Sequence, residues 1–278
     1  MTLRKLSKTW PNLTKFLRII IVEKRIPGRI LQIYYRFLGR FGKKVVIFKT
    51  KDGMIVKCFA NSVTIFVEVL QKEDYSFPDF DFEEKVVIDI GANQGFFALY
   101  AAKRGAKVYA FEPCSENLRI LRENVAKNGF QDRIRVVDCA VTGDKRQVEL
   151  FVGVDQRGDI LSGSVSTFNA ERGGADVQQR GVRGIPVNDI FSDFGIKRCD
   201  LLKFDCEGAE YEIFEHISDD SLSRISRIVG EVHQGRGAEI VVRLDSAGFE
   251  ILHQDFEEAG LVKARRRSST VPSKHQNA

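Results

Sequence analysis

Val86-Val87-Ile88-Asp89-Ile90-Gly91-Ala92-Asn93-Gln94-Gly95-Phe96 runs from an apolar segment through a glycine-bounded turn to the start of a second apolar segment. Its first five residues are apolar and mostly β-branched around a single acid, the make-up of a strand buried on both faces. Gly91 and Gly95 bracket a tight turn, and FFALYAAKRG (96–105) follows with helical apolar spacing and a glycine stop. Strand, glycine turn and helix form the first unit of a nucleotide-binding α/β sheet. Glycine there lets the chain turn sharply and lets a ligand approach the backbone.

The glycines fall as G-A-N-Q-G rather than G-x-G-x-x-G, and Asp89 stands two residues before the first. A carboxylate at that point would repel a pyrophosphate. It suits a ligand that is cationic or rich in hydroxyls. KVYAFEP (107–113) is a second strand that ends in Glu112. An acid about 20 residues after the first turn is placed to accept both hydroxyls of a ribose. An amino-acid head at the turn and a ribose at the second strand describe S-adenosylmethionine better than NAD. The contacts expected for it are Asp89, Gly91, Ala92, Asn93, Gly95 and Phe96 at the turn, with Glu112 beyond.

Working outward, ENLRILRENVAKNG reads as a helix capped by Ser115 and stopped by Gly129. RIRVVDCAV (133–141) is a third strand ending in Asp138, and CDLLKFD a fourth ending in Asp205. SRIVGEVHQ is a fifth, closing on Glu231 and His233; a helix, a turn at Gly248 and two further strands follow. VNDIFSDFGI (187–196) reads as a short helix begun by Asn188 or Asp189. Strands near 86, 107, 134, 199 and 226 alternating with helices predict a doubly wound, mostly parallel seven-stranded sheet, closed by an antiparallel pair. Between 147 and 187, QVELFVG reads as an added strand, whereas the rest lacks apolar periodicity and reads as a long binding or surface loop.

VIDIGANQGFFALYAA, VYAFEPCSENLRILRENVAKNG, DLLKFDCEGAEYEIFE and ISRIVGEVHQ together resemble the FkbM-type family of S-adenosylmethionine-dependent methyltransferases. The match runs from Val86 to His233 and on through the last strands. Most specific is the D-x-K-x-D-x-E-G-x-E form, here Asp200 to Glu210 with one extra residue before Lys203. The resemblance implies a class I methyltransferase-like (Rossmann-like) α/β fold and O-methylation of a sugar, glycolipid or polyketide-like molecule. It also suggests Asp138 beside the adenine and SGSVSTF (162–168) near the acceptor mouth. The family's T-L-D is PVND here, so Asp189 receives no role.

Three parts are expected: a basic extension over 1–84, a catalytic domain over 85–265 and a disordered basic tail over 266–278. Residues 1–50 hold thirteen Lys or Arg against one acid, Glu23, and the chain from Lys263 onward has five more and no acid. The stretch between is acidic. NLTKFLRIIIVEKRI (12–26) has only IIIV as an unbroken apolar piece, far short of the roughly 20 residues a membrane span requires. RILQIYYRFLGRF (29–41) sets three arginines on one face and aromatic residues on the other. Such a helix caps the core, docks 12–44 on an anionic membrane or contacts nucleic acid. A hairpin turning on Asp52-Gly53 and a helix over 62–73 follow. DYSFPDFDFEE (74–84) reads as a lid over the cofactor or as an exposed connector. Five scattered cysteines without a C-x-x-C pair point to reduced thiols and a cytoplasmic setting.

In such a sheet the ligand lies at the carboxyl ends of the strands. Asp205 and His233 are the candidate general bases for an acceptor hydroxyl, with Glu207 and Glu231 tuning or orienting them. Neighbouring acids would raise the pKa of His233. The same four could hold Mg²⁺ or Mn²⁺, or Glu231 and His233 could simply pair and cap strand ends. No N-P-P-[YFW] follows the fourth strand and no P-C pair is present, which favours a hydroxyl acceptor over a base in nucleic acid. The expected partner is a small-molecule or glycan acceptor, with no nucleic acid expected. An RNA methyltransferase guided by its basic ends and a non-catalytic scaffold stand as alternatives.

Overall fold

A computed structural model of the chain describes residues 45–154, 160–166, 176–256 and 259–267. The amphipathic helices expected over 12–44 and the tail from 268 lie outside the described residues, as do Thr167 and Phe168.

The extension opens with the expected hairpin. β1 (Val45–Lys49) pairs antiparallel with β2 (Ile55–Phe59), Val45 opposite Phe59, and Gly53 takes φ 85° in the turn. A 3₁₀ turn (Ala60–Ser62) leads into α1 (Val63–Val67), which widens into a π-helical turn (Glu68–Lys72). Then come β3 (Val86–Ile90), α2 (Phe96–Lys103), β4 (Lys107–Glu112), α3 (Ser115–Asn128) and β5 (Ile134–Asp138). After an inserted sheet follow α4 (Asp189–Asp193), β10 (Leu201–Phe204), α5 (Glu210–His216), α6 (Asp219–Ser223), β11 (Arg227–His233), α7 (Gly237–Ser246), β12 (Phe249–Gln254) and β13 (Ala259–Arg266).

The main sheet has seven strands in the order β12-β13-β11-β10-β3-β4-β5. Its five central and right-hand strands run parallel, and β13 inserts antiparallel between β11 and β12. Each face is covered. The hairpin, α1 and α2 lie on one side with Phe48, Phe66, Phe96 and Leu99; α4, α5 and α7 lie on the other with Phe191, Phe214 and Leu244. Fully burying one such side chain contributes about 1.5–3 kcal/mol, so the dense apolar runs of β3, β4 and β10 fix the centre of the sheet.

Four local expectations are corrected. Ser115 does not cap α3: it is the first helical residue, and Cys114 precedes the helix with no side-chain cap. The 74–84 segment is neither a lid nor an exposed connector, because Tyr75, Phe77 and Phe82 are buried in the core. Asp79 fastens it through a two-pronged ion pair with Arg227 at 2.6 and 2.9 Å. Arg266, expected in the basic tail, belongs instead to β13, and its guanidinium donates to the Ile225 carbonyl at 2.9 Å. The described residues of the 147–187 insertion, finally, form sheet: β7 (Gln147–Val154), β8 (Ile160–Ser166) and β9 (Asp176–Pro186) join β6 (Ala140–Thr142), which precedes them, in the order β6-β9-β7-β8. The first half of β9 is exposed on both faces, so no alternation marks it as a strand.

Candidate active site

The carboxyl ends of β3, β4 and β10 and the segment that follows β5 converge on one open cleft. At the β3 end, Gly91 has φ 73°, and a Cβ there would lie 1.9 Å from the Asp205 carbonyl oxygen. Only glycine lets the turn close against β10. The Gly91 and Ala92 N–H groups both donate to the Phe111 carbonyl, at 3.0 and 2.9 Å, which ties the turn to β4.

Of the eight residues expected around the cofactor, Gly91, Asn93 and Glu112 line the cleft. The others have different work. Asp89 is fully buried one layer below, 3.1 Å from the Lys203 ammonium, and neither of its carboxylate oxygens finds a hydrogen-bond partner. Ala92 serves the turn through its backbone, Gly95 (φ 88°) precedes α2, and Phe96 packs edge-on against Phe66 in the core. Asp138 is exposed and pairs with Arg122 at 3.4 Å; the cleft wall passes instead to Cys139, Ala140 and Val141.

Glu112 accepts from the Asn93 N–H at 2.8 Å, the Cys114 N–H at 2.9 Å and the Asn117 amide at 3.3 Å. A carboxylate offers roughly four lone-pair sites, so about one remains for a ligand hydroxyl rather than the two expected. Burial raises Glu112 to about 7 against the pull of these donors.

The acceptor end is built from charge. Lys203, itself buried, reaches Asp89 at 3.1 Å, Asp205 at 3.9 Å and the Gly91 carbonyl at 3.1 Å. Asp89 and Asp205 hold its ammonium charged although burial opposes it. The Tyr75 hydroxyl lies 3.2 Å from Asp205 Oδ2 and 2.5 Å from Glu231 Oε1, joining the two acids. His233 Nδ1 bonds Glu210 Oε1 at 3.0 Å, while Nε2 stands 3.7 Å from Glu207 and 3.8 Å from Glu231. Glu210 also accepts the His233 N–H at 2.9 Å and the Gly208 N–H at 2.8 Å. All four predicted catalytic residues are therefore brought together, with Asp205 and Glu207 on the cleft wall itself.

The partnership of His233 is wider than the one expected. Its hydrogen-bond partner is Glu210, and the pairing with Glu231 is also present, as an ion pair at 3.8 Å. Burial disfavours the imidazolium, but the hydrogen bond and charge of Glu210, then Asp205 and Glu207, push His233 up to about 9. Burial works to raise Glu210, and His233 outweighs it, holding that carboxyl low. Burial and the charge of Asp205 push Glu231 up to about 7. Donor atoms of Asp205, Glu231 and His233 lie within 4.8 Å of one another, a set of hard donors that an oxygen-loving divalent cation could use.

Two functional residues escaped the sequence reading. Glu210 is the last acid of the D-x-K-x-D-x-E-G-x-E form, and in the first turn of a helix an acid reads as a partner of the helix dipole. Tyr75 gave no signal, since its partners are 130 and 156 residues away.

A doubly wound sheet with one antiparallel strand set between the last two, and a cleft over its carboxyl ends, is the architecture of class I methyltransferases. Residues 89–251 match the methyltransferase FkbM domain, and the chain belongs to that family. It is similar to the 31-O-demethyl-FK506 methyltransferase FkbM of Streptomyces tacrolimicus, at 30% identity over 65% of this chain and 80% of that one. Methyltransferase sdnD of Sordaria araneosa is 25% identical over 65% of this chain and 81% of its own length. The AMB antimetabolite synthetase AmbE of Pseudomonas aeruginosa is 27% identical over 63% of this chain, which spans only 10% of that protein. A solved FkbM methyltransferase of Methylobacillus flagellatus KT shares 16% identity at a TM-score of 0.46, covering 71% of this chain and 47% of that one. S-Adenosylmethionine is the methyl donor that the family implies. Among the described residues no helix is long and apolar enough to cross a membrane.

Proposed function

We propose that the protein is an S-adenosylmethionine-dependent O-methyltransferase acting on a hydroxyl of a saccharide, glycolipid or secondary metabolite. The observation that carries this reading is one cleft running from Glu112 to Asp205 and Glu207, with an oriented histidine beside the acids. The residues fit the donor. Glu112 keeps acceptor capacity for a ribose hydroxyl, Pro113, Cys139, Ala140, Val141 and Leu150 give an apolar wall for the adenine, and Gly91 and Asn93 bring the turn to the cleft between them. When bound, S-adenosylmethionine supplies an electrophilic methyl group.

The chain's own part is to orient the acceptor and remove its proton. Glu210 receives the proton on Nδ1, so a neutral imidazole presents the Nε2 lone pair toward Glu207 and Glu231. The acceptor proton passes to Nε2, and Glu210 balances the imidazolium that results. Raised to about 9, His233 carries a proton at neutral pH, so turnover that needs its free Nε2 climbs as pH rises toward 9. The donor set gives a second reading, in which Asp205, Glu231 and His233 would hold Mg²⁺ or Mn²⁺, which would supply Lewis acidity to the acceptor hydroxyl.

Calorimetry with S-adenosylmethionine, with NAD as control, tests the donor; transfer of a labelled methyl group to a panel of sugars and hydroxylated metabolites, with and without EDTA, tests the acceptor. Micromolar binding of the first alone, with label released only by ether cleavage, supports O-methylation. Label on nitrogen or in RNA would replace it, and activity abolished by EDTA and restored by Mg²⁺ would favour the metal. We further infer a cytoplasmic enzyme whose basic segment 12–44 contacts anionic membrane, which vesicle co-sedimentation tests.

A further inference from the structure

The hairpin and α1 precede the span that matches the family domain, yet they are wired into the cofactor end of the cleft. β2 offers its outer edge to three side-chain amides in place of a strand. Asn128 bonds both the N–H and the carbonyl of Ile55, at 2.8 and 2.7 Å. Asn124 does the same for Lys57, at 2.7 and 2.8 Å, and Gln94 Oε1 accepts from the Phe59 N–H at 2.8 Å. Four helical residues rise about 6 Å and two strand residues about 6.8 Å. Asparagines four apart on α3 can therefore serve alternate residues of a strand.

Gln94 ends this ladder and touches the site. Its Nε2 donates to Ser62 Oγ at 2.7 Å and Asn93 Oδ1 at 3.0 Å, with Asn117 Oδ1 at 3.4 Å. Asn93 and Asn117 both line the cleft, and both donate to Glu112. Gln94 itself is only 1% exposed, so it reaches a ligand only through these neighbours. From α1, Ile65 adds a side chain to the cleft wall.

We propose that Gln94 is a positioning residue that makes the β1–β2 hairpin and α1 part of the cofactor site, so that hairpin order and cofactor affinity are coupled. The inference rests on the methyltransferase reading above. With Asn93 Oδ1 engaged by Gln94, the Asn93 side chain offers its amide donor to the cleft, and Asn117 is held against Glu112. Coupling of this kind is reciprocal: what the hairpin does for the cofactor, the bound cofactor returns to the hairpin.

The test uses the full chain and S-adenosylhomocysteine as probe. Gln94→Met keeps the volume and removes the amide; we expect affinity about 10-fold weaker, the loss of one buried hydrogen-bonding group. Gln94→Glu keeps the acceptor for the Phe59 N–H and loses the side-chain donor to Asn93 and Asn117, leaving Asn93 Oδ1 only the backbone N–H of residue 94 at 2.8 Å, so affinity should fall while the hairpin stays protected. In the unmutated chain, saturation with the probe should slow hydrogen exchange at Ile55, Lys57 and Phe59, and in Gln94→Met it should not. A folded Gln94→Met with unchanged affinity, or hairpin exchange indifferent to the probe in the unmutated chain, overturns the proposal. A purely structural glutamine would lower Tm and leave the affinity of the folded protein alone. Absence of any binding by the unmutated chain would instead remove the methyltransferase reading, and the inference with it.

Discussion

The two ends of the cleft are held by different forces. At the cofactor end, neutral amides and backbone N–H groups do the holding: Asn93, Asn117 and the Cys114 N–H converge on one acid, Glu112, and Gln94 braces Asn93 from behind. At the acceptor end, charge is set against charge, with Glu210 against His233 and Lys203 against Asp89 and Asp205. Amide networks fix position at little electrostatic cost, which suits a site that must bind. Opposed charges hold protons at defined atoms, which suits a site that must move one. Lys203 stands on the seam, touching both the turn carbonyl and the acceptor acid.

The strongest way to break this contrast is His233→Ala. Loss of a general base costs about 10²–10⁴ in kcat, and steady-state kinetics should show that loss with cofactor affinity unchanged. Lys203→Met comes next. It leaves Asp89 buried without its counterion, a change that costs about 3–5 kcal/mol, read as a lowered urea midpoint. Glu112→Gln should weaken S-adenosylhomocysteine about 10-fold, or 1.4 kcal/mol. The sign of its pH dependence follows from burial, which raises Glu112 to about 7. Below that pH the carboxyl is protonated and has lost acceptor capacity, so affinity should rise from pH 6 to pH 8, and in Glu112→Gln that rise should be absent. The groups facing Glu112 are the Asn93 and Cys114 amides, the Asn117 side chain and the Lys203 charge, none of which changes protonation over that range. The smallest effect is expected of Asp138→Asn: an exposed ion pair contributes about 0–1 kcal/mol, so affinity should stay within about 2-fold by calorimetry.

The sheet was legible because β3, β4, β10 and β11 are short apolar runs with acids at their carboxyl ends, and the sheet itself gathers those ends. That is why Asp205, Glu207, Glu231 and His233 could be grouped before any coordinates. What stayed hidden depends on contacts with no local period. Tyr75 sits in an acidic, aromatic stretch that looks solvated until Arg227 and the core claim it. β9 is exposed along its first half and is held by pairing with β7, Gln147 opposite Arg183 through Val154 opposite Asp176. Asp89 and Asp138 show the reverse error: each has the right residue type at a strand end, yet one points below the cleft and the other into solvent beside Arg122.

The division between a binding end and a proton-moving end is tested most directly by titrating S-adenosylhomocysteine into the unmutated chain, Glu112→Gln and His233→Ala by calorimetry. Such a division gives affinity about 10-fold weaker in Glu112→Gln, a change of roughly 1.4 kcal/mol, and unchanged affinity in His233→Ala. Equal losses in both variants would contradict it, and would make the cleft one undivided electrostatic site.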